Sequence, residues 1–281
     1  MIDETVAEIR EMQTHSSSVV AVKATRALEA LLDREFATLE EFERDLEHNA
    51  GALRRANPSH ASLHNAMREV VDSVAGEADS VAAAKALLER TTERVVVDVE
   101  RGKRRAAENA AAVFDDGDVV LTHDYSSTVL AAVELAVNEG VALTGYVTEA
   151  RPRHLGRKTA REFAAMDGVS PHLLVDGAAG HVLPDCDRVV VGMDCIVEGT
   201  LYNRVGTYPI VATAAREGVP VTVVGSGAKV IDDFRFENEL RSPSEVMLEP
   251  IDGVEKENPA YDATPVELLD AVVTDERTRR Y

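Results

Sequence analysis

The chain has 281 residues, of which 45% are hydrophobic and 28% charged, with a formal net charge of -20 from 30 basic and 50 acidic side chains. That length and composition exclude a disordered chain and allow a core large enough to need no disulfide or metal staple. The negative charge argues against direct nucleic-acid binding and against an anionic membrane, since phosphate is repelled over the whole surface.

Arginine supplies most of the positive charge; the lysines are Lys23, Lys85, Lys103, Lys158, Lys229 and Lys256. An acidic, lysine-poor chain suits a cytoplasm of very high salt, where self-repulsion is screened. Cys186 and Cys195 are the only cysteines, so a reducing compartment is the default. The opening MIDETVAEIREM carries no apolar signal core, and no apolar run is long enough to span a bilayer. The expectation is a cytoplasmic protein with no membrane partner.

The first part of the chain reads as helices. Thr38-Leu39-Glu40-Glu41 is a capping box, with Thr38 as N-cap. Leu39, Phe42, Leu46 and Leu53 follow on one helical face, and Leu63, Met67, Val70 and Val74 do the same after Pro58. Leu88, Val95 and Val99 extend the pattern toward Phe114. Arg101-Gly102-Lys103-Arg104-Arg105 reads as a solvated helix face. Residues 1–114 are expected to form an all-helical domain, and 115–281 a second one.

Asp115-Asp116-Gly117-Asp118 is a turn signature. After it, short β-branched runs alternate with helical stretches. Strands are expected at 119–122, 141–147, 172–175, 188–191 and 221–224, and helices at 128–139, 157–166 and 207–217. Gly140 and Gly218 stop two of the helices. This alternation, with continuously apolar strands, gives the fold class α/β: a mostly parallel sheet with both faces covered. Such sheets bind ligands outside the carboxyl ends of their strands, so the segments after each strand are the places to look.

Thr122-His123-Asp124-Tyr125-Ser126-Ser127 either faces a ligand or supplies an N-cap. Thr148 to Arg157 gathers Arg151, Arg153, His154 and Arg157 before a helix. It is either a phosphate or carboxylate site or a solvated loop paired with acidic neighbours. Asp194, between Gly192-Met193 and Cys195, either works as an acid or base or caps backbone amides. Cys195 reads as a buried small residue. Gly225-Ser226-Gly227 lacks the rest of a dinucleotide fingerprint, which sets a nicotinamide dehydrogenase aside. His60 and His64 share helical spacing without further ligands and read as surface histidines. No metal and no cofactor is expected.

The order of these motifs resembles the family of translation initiation factor 2B alpha, beta and delta subunits, which also contains methylthioribose-1-phosphate and ribose-1,5-bisphosphate isomerases. The most specific stretch is VVVGMDCIVEGTLYNRVGTY at 189–208. LTHDYSS at 121–127, the segment 148–160, Leu63-His64-Asn65-Ala66 and Asn258-Pro259-Ala260-Tyr261-Asp262-Ala263-Thr264-Pro265 are also similar to family signatures. The resemblance implies an N-terminal helical domain, a Rossmann-like C-terminal domain, and a homodimer or larger assembly formed mainly through the latter. It also implies initiation factor 2 or related subunits as partners.

By the same resemblance Asp194 matches the isomerases' aspartate, and Asn203 and Arg204 match an Asn-Lys pair that binds substrate. Arginine for lysine keeps charge but changes geometry. Asp124 stands where the isomerases carry their cysteine. His15-Ser16-Ser17 replaces an Arg-Gly-Ala loop, Asn57-Pro58 replaces Arg-Pro, and Leu155 replaces a glutamine, while Arg151, Pro152 and Gly156 remain. Each lost arginine removes charge-assisted hydrogen bonds worth roughly 1.5–3 kcal/mol. These losses point to a non-catalytic, initiation-factor-2B-subunit-like protein acting through oligomer interfaces, with a nucleotide or sugar-phosphate pocket. The alternative is an aldose-ketose isomerase with an altered site: Asp194 as proton donor, Asp124 as substitute acid/base, and Arg151, Arg153, Arg157 and Arg204 as a rearranged phosphate clamp.

Overall fold

The computed structural model describes residues 2–11, 16–231, 235–249 and 251–281, so His15 lies outside the described residues. Helices come first: α1 (Ile2–Arg10), α2 (Ser17–Ala27), α3 (Leu39–Ala56), α4 (Ala61–Asp72) and α5 (Val81–Ala111). α3 begins at the capping box, where the Glu41 amide donates to Thr38 Oγ1 at 3.2 Å. The return bond goes one residue further back than the motif implies, from the Ala37 amide to Glu41 Oε2 at 2.9 Å. The apolar faces read from periodicity close one core: Leu46, Leu53, Leu63 and Met67 meet Leu28, Leu31 and Leu88. Burying each such side chain contributes about 1.5–3 kcal/mol. His60 corrects an expectation, because it is fully buried at the start of α4 rather than on the surface.

The chain divides into two compact units, Met1–Gly102 and Lys103–Tyr281. The division falls inside α5, so residue 114 marks the end of the helical pattern and not of the first unit. The reason lies in the last turns of α5, whose Ala107 and Ala110 join Phe114, Val120 and Val133 in an apolar core of the second unit. Periodicity shows that a helix has an apolar face; it does not show which core that face serves.

The second unit runs β1 (Val119–His123), α6 (Ser127–Asn138), β2 (Leu143–Thr148), α7 (Gly156–Ala164), β3 (Val169–Leu174), α8 (Ala179–Val182), β4 (Arg188–Gly192), β5 (Cys195–Val197), β6 (Thr200–Arg204), α9 (Thr207–Glu217), β7 (Val221–Val224), β8 (Val230–Ile231), α10 (Pro243–Val246), β9 (Tyr261–Pro265), β10 (Ala271–Val273) and β11 (Thr278–Arg280). Among the described residues the larger sheet has the order β11-β10-β7-β4-β1-β2-β3. All neighbours in it pair in parallel except β10 with β11. The α/β class with a mostly parallel sheet is as expected. The edge strand β3 departs from the covered pattern and leaves Leu173 exposed.

The strand order reverses between β1 and β4, which makes the carboxyl ends of these two strands the topological switch point of the sheet. A smaller sheet, β8-β5-β6-β9, lies along the chain just after that point and was not anticipated from sequence. Its strands are short, and the β5–β6 hairpin turns on Glu198 and Gly199 with φ of 46° and 79°. Two left-handed residues are what a tight hairpin needs, and glutamate is not a usual signal for the first. Among the described residues no helix is long and apolar enough to cross a membrane, and no His/Cys/Asp/Glu group could hold a metal ion.

Candidate active site

β1 delivers Asp124 and β4 delivers Asp194, one on each side of the switch point. Asp124 is buried and left-handed, with φ 61°. Aspartate tolerates that conformation better than most residues, because its short polar side chain can bond locally. Its carbonyl is fixed by Thr159 Oγ1 of α7 at 2.6 Å. Asp194 is also buried, and its amide donates to the Tyr202 carbonyl of β6 at 3.1 Å.

Between them lies Arg204 at the end of β6. Its Nε is 3.6 Å from Asp124 Oδ2 and 3.8 Å from Asp194 Oδ2. Its guanidinium packs over the Tyr261 ring at 4.8 Å, a contact that favours a cation. Arg204 Nη1 is buried and makes no hydrogen bond. Burial works against the charge of Arg204, but Tyr261, Asp194 and Asp124 outweigh it and hold the guanidinium above its ordinary value.

Burial pushes the Asp124 carboxyl up, and the charge of Asp194 adds to that; Arg204, His123 and the Tyr125 amide oppose it without cancelling it. The consequence for stability has a definite sign. A group that binds its proton more tightly folded than unfolded makes stability fall as pH rises from the unfolded carboxylate value, about 3.9, through the raised folded value. Asp124→Asn, which keeps a side chain tolerant of the left-handed backbone, is therefore expected to raise Tm above that window and to leave it nearly unchanged below. Melting curves of both proteins from pH 3 to pH 9 check this.

His123 is locked beneath the site. Its Nδ1 lies 2.6 Å from Thr148 Oγ1 and its Nε2 2.9 Å from the Val205 carbonyl. A carbonyl only accepts, so the network assigns the proton to Nε2. The ring packs against Gly206, where φ is 107° and a Cβ would sit 2.6 Å from His123 Cε1. That glycine lets β6 turn straight into α9, whose first amides are capped by Asp262 Oδ2 at 2.7 Å from Gly206 N and 3.0 Å from Tyr208 N.

A small open cleft is lined by Asp124, Arg151, Arg153, Arg204, Arg241 and Asn258 among others. Arg151 and Arg153 thus share it with Asp124 and Arg204. Arg157 does not; it pairs with Glu149 at 2.6 Å and is half exposed. Asn203 is buried with its amide donating to Thr207 Oγ1 at 3.0 Å, which ties β6 to the start of α9. Ser126 accepts from the Val129 amide at 3.3 Å and so is the N-cap of α6.

Three groups were not singled out from the sequence: Arg241, which lines the cleft, and Lys229 and Tyr261, which lie beside Met193 and Arg204. Arg241 sits in an irregular segment with no periodic or motif signal; its Nη2 is buried without a hydrogen bond. Burial leads in lowering its value, and Arg204 adds to that. Lys229 is buried, and its Nζ donates to the Met193 carbonyl at 2.8 Å, immediately before Asp194. It follows β7, so the rule of inspecting strand ends would have found it. Tyr261 was noticed only as part of a motif. Cys195 is fully buried, and burial and Asp194 push its thiol up, so it is no thiolate.

The initiation factor 2 subunit family model matches residues 13–276. The chain belongs to this family. Among its relatives, the ribose 1,5-bisphosphate isomerase of Haloterrigena turkmenica is 34% identical over 96% of this chain and 88% of its own length. The enzyme of the same name from Haloferax volcanii is 30% identical over 98% of this chain and 87% of its own length. The crystal structure of the translation initiation factor eIF-2B of Pyrococcus horikoshii OT3 superposes with a TM-score of 0.85 at 22% identity, over 99% of this chain and 96% of that one. That last likeness is one of fold.

These relatives correct the expectation of a non-catalytic family member. Chains bearing the isomerase name run from 29% to 34% identity over nearly the whole sequence. The physical error lay in treating guanidinium groups missing at known positions as missing from the site. Arg241 brings one to the cleft from an unrelated segment, and Asp124, weighed above as a substitute acid/base, lines the same cleft.

Proposed function

We propose that this family member is an aldose-ketose isomerase acting on a sugar phosphate, with ribose 1,5-bisphosphate, the compound in its relatives' name, as the first candidate. One observation carries the reading: Arg204, buried in the lining of an arginine-rich cleft, lies 3.6 Å from Asp124, which also lines it, and 3.8 Å from Asp194 at the next strand end. Opening a sugar 1-phosphate ring requires a proton on the ring oxygen. Forming the ketose requires a proton moved from C2 to C1 and the proton of the C2 hydroxyl removed. Asp124 faces the cleft and takes the C2 proton, then returns it to C1. Burial raises its carboxyl above the ordinary carboxylate value, which makes it a stronger base once ionised. Asp194 gives a proton to the ring oxygen and recovers one from the C2 hydroxyl, so protons balance over the cycle. Arg204 stabilises the oxyanion between these steps. Arg151, Arg153 and Arg241 bind phosphate through charge-assisted hydrogen bonds, and no cofactor is needed.

Several apolar side chains near the cleft segment, Leu240, Met247 and Leu248 among them, are exposed. They support the homodimer or larger assembly that the resemblance implies, measurable by sedimentation in molar KCl. The acidic, lysine-poor surface supports a cytoplasm of high salt.

The deciding assay incubates the protein in molar KCl with ribose 1,5-bisphosphate and, separately, with methylthioribose 1-phosphate, and follows the ketose by NMR. In deuterated water, a C2 proton that Asp124 returns directly leaves C1 of the product unlabelled, and exchange on the carboxyl during the shuttle places deuterium there. Turnover of neither sugar ends the reading.

A further inference from the structure

The two arginines of the cleft wall sit in a segment whose backbone has little regular structure. Ala150 has φ 58°, His154 has φ 57°, and the chain turns sharply between β2 and α7. The guanidinium groups have partners of their own, Arg151 Nη2 donating to the Val246 carbonyl at 3.1 Å and Arg153 Nε lying 3.6 Å from Glu245 Oε1, but the direction in which they leave the loop depends on what holds its backbone. One side chain does. The Asp176 carboxylate, just beyond β3, accepts from two successive amides, Ala150 N to Oδ1 at 2.7 Å and Arg151 N to Oδ2 at 2.7 Å. Both oxygens are used, one on each N–H, which fixes the orientation of the peptide between Ala150 and Arg151. A charged acceptor makes these bonds stronger than a neutral one would. Asp176 itself does not line the cleft.

We propose that Asp176 is a positioning residue for anion binding: it holds the Ala150–Arg151 backbone so that Arg151 and Arg153 present their guanidinium groups to a phosphate. This deepens the reading of the cleft as a sugar-phosphate site, and it is testable without turnover. A comparable carboxylate elsewhere serves as control. Asp187 Oδ2 accepts from the Val119 amide at 2.8 Å, at the amino end of β1 and far along the strand from the cleft.

The test measures binding of inorganic pyrophosphate by calorimetry, with Tm alongside, for the wild type, Asp176→Ala, Asp176→Asn and Asp187→Ala. Losing two charge-assisted bonds that orient the binding loop is expected to weaken pyrophosphate by about 10- to 100-fold in Asp176→Ala. Asp176→Asn keeps one acceptor and is expected to fall between. Asp187→Ala lowers Tm without changing affinity. Where the wild type turns over a sugar phosphate, KM rises in the Asp176 variants while kcat stays within a few-fold. Unchanged pyrophosphate affinity in a folded Asp176→Ala overturns the proposal, as does a wild type that binds no pyrophosphate. Pyrophosphate bound and weakened as expected, in a protein that turns over no sugar phosphate, sinks the isomerase reading and leaves the role of Asp176 standing.

Discussion

Asp194→Asn is expected to lower kcat by about 100- to 10,000-fold, the range that a positioned acid or base contributes. The substitution keeps size and one acceptor oxygen but removes the exchangeable proton, so KM should stay within a few-fold. It also carries a signature that simple damage would not. The charge of Asp194 is one of the causes that raise Asp124. Removing it lets Asp124 ionise at lower pH, so the acid limb of the residual rate profile shifts downward. A pH profile of kcat for wild type and variant reads both effects. Wild-type turnover in the variant would exclude Asp194 from the chemistry. Loss of activity with an unmoved acid limb would mean that Asp124 is not the group whose ionisation limits the rate.

Much of this site was legible before any coordinates. The rule that ligands collect at the carboxyl ends of parallel strands led to Asp194 and to the segment holding Asp124, whose own role came only from the resemblance, because β1 and β4 announce themselves as runs of valine and leucine ended by polar residues. The strand order that puts those two ends side by side was not legible, since pairing depends on crossovers that no local pattern encodes. Arg204 could be matched by motif, but its place between two carboxylates depends on a hairpin whose turn, Glu198-Gly199, does not resemble the usual one. Arg241 was invisible for a different reason. Its segment has neither period nor turn signature, and it reaches the cleft only because β9 pairs with β6 and draws the chain before it alongside. Counting the cations of a site from sequence motifs therefore undercounts those held by irregular chain. The same bias explains the failure with function: lost arginines are visible in a motif, and gained ones are not.

Arg204→Met is expected to have the largest effect on stability. A buried cation 3.6 and 3.8 Å from two buried carboxylates cannot be removed without leaving their charge uncompensated, and breaking such an arrangement costs about 3–5 kcal/mol. Tyr261 also loses the guanidinium stacked on its ring. The size of the loss should depend on pH in a particular direction. Arg204 is the leading charge that opposes the raised Asp124 carboxyl, so without it that carboxyl rises further. The folded variant then holds a proton over a wider range than the unfolded chain, and its stability falls with rising pH across that range. Below it, Asp124 is protonated in wild type and variant alike, and the gap between the two proteins narrows. Denaturant melts of both proteins at pH 3 and pH 8 read this, with a greater destabilisation at pH 8. Adding Asp124→Asn to Arg204→Met removes one of the stranded charges and should restore part of the stability at pH 8 while adding little at pH 3. That non-additivity is the expected mark of three groups acting as one unit. A destabilisation equal at both pH values, unrelieved by the second substitution, would mean that Arg204 supports the fold through packing alone and that the two carboxylates are not its electrostatic partners.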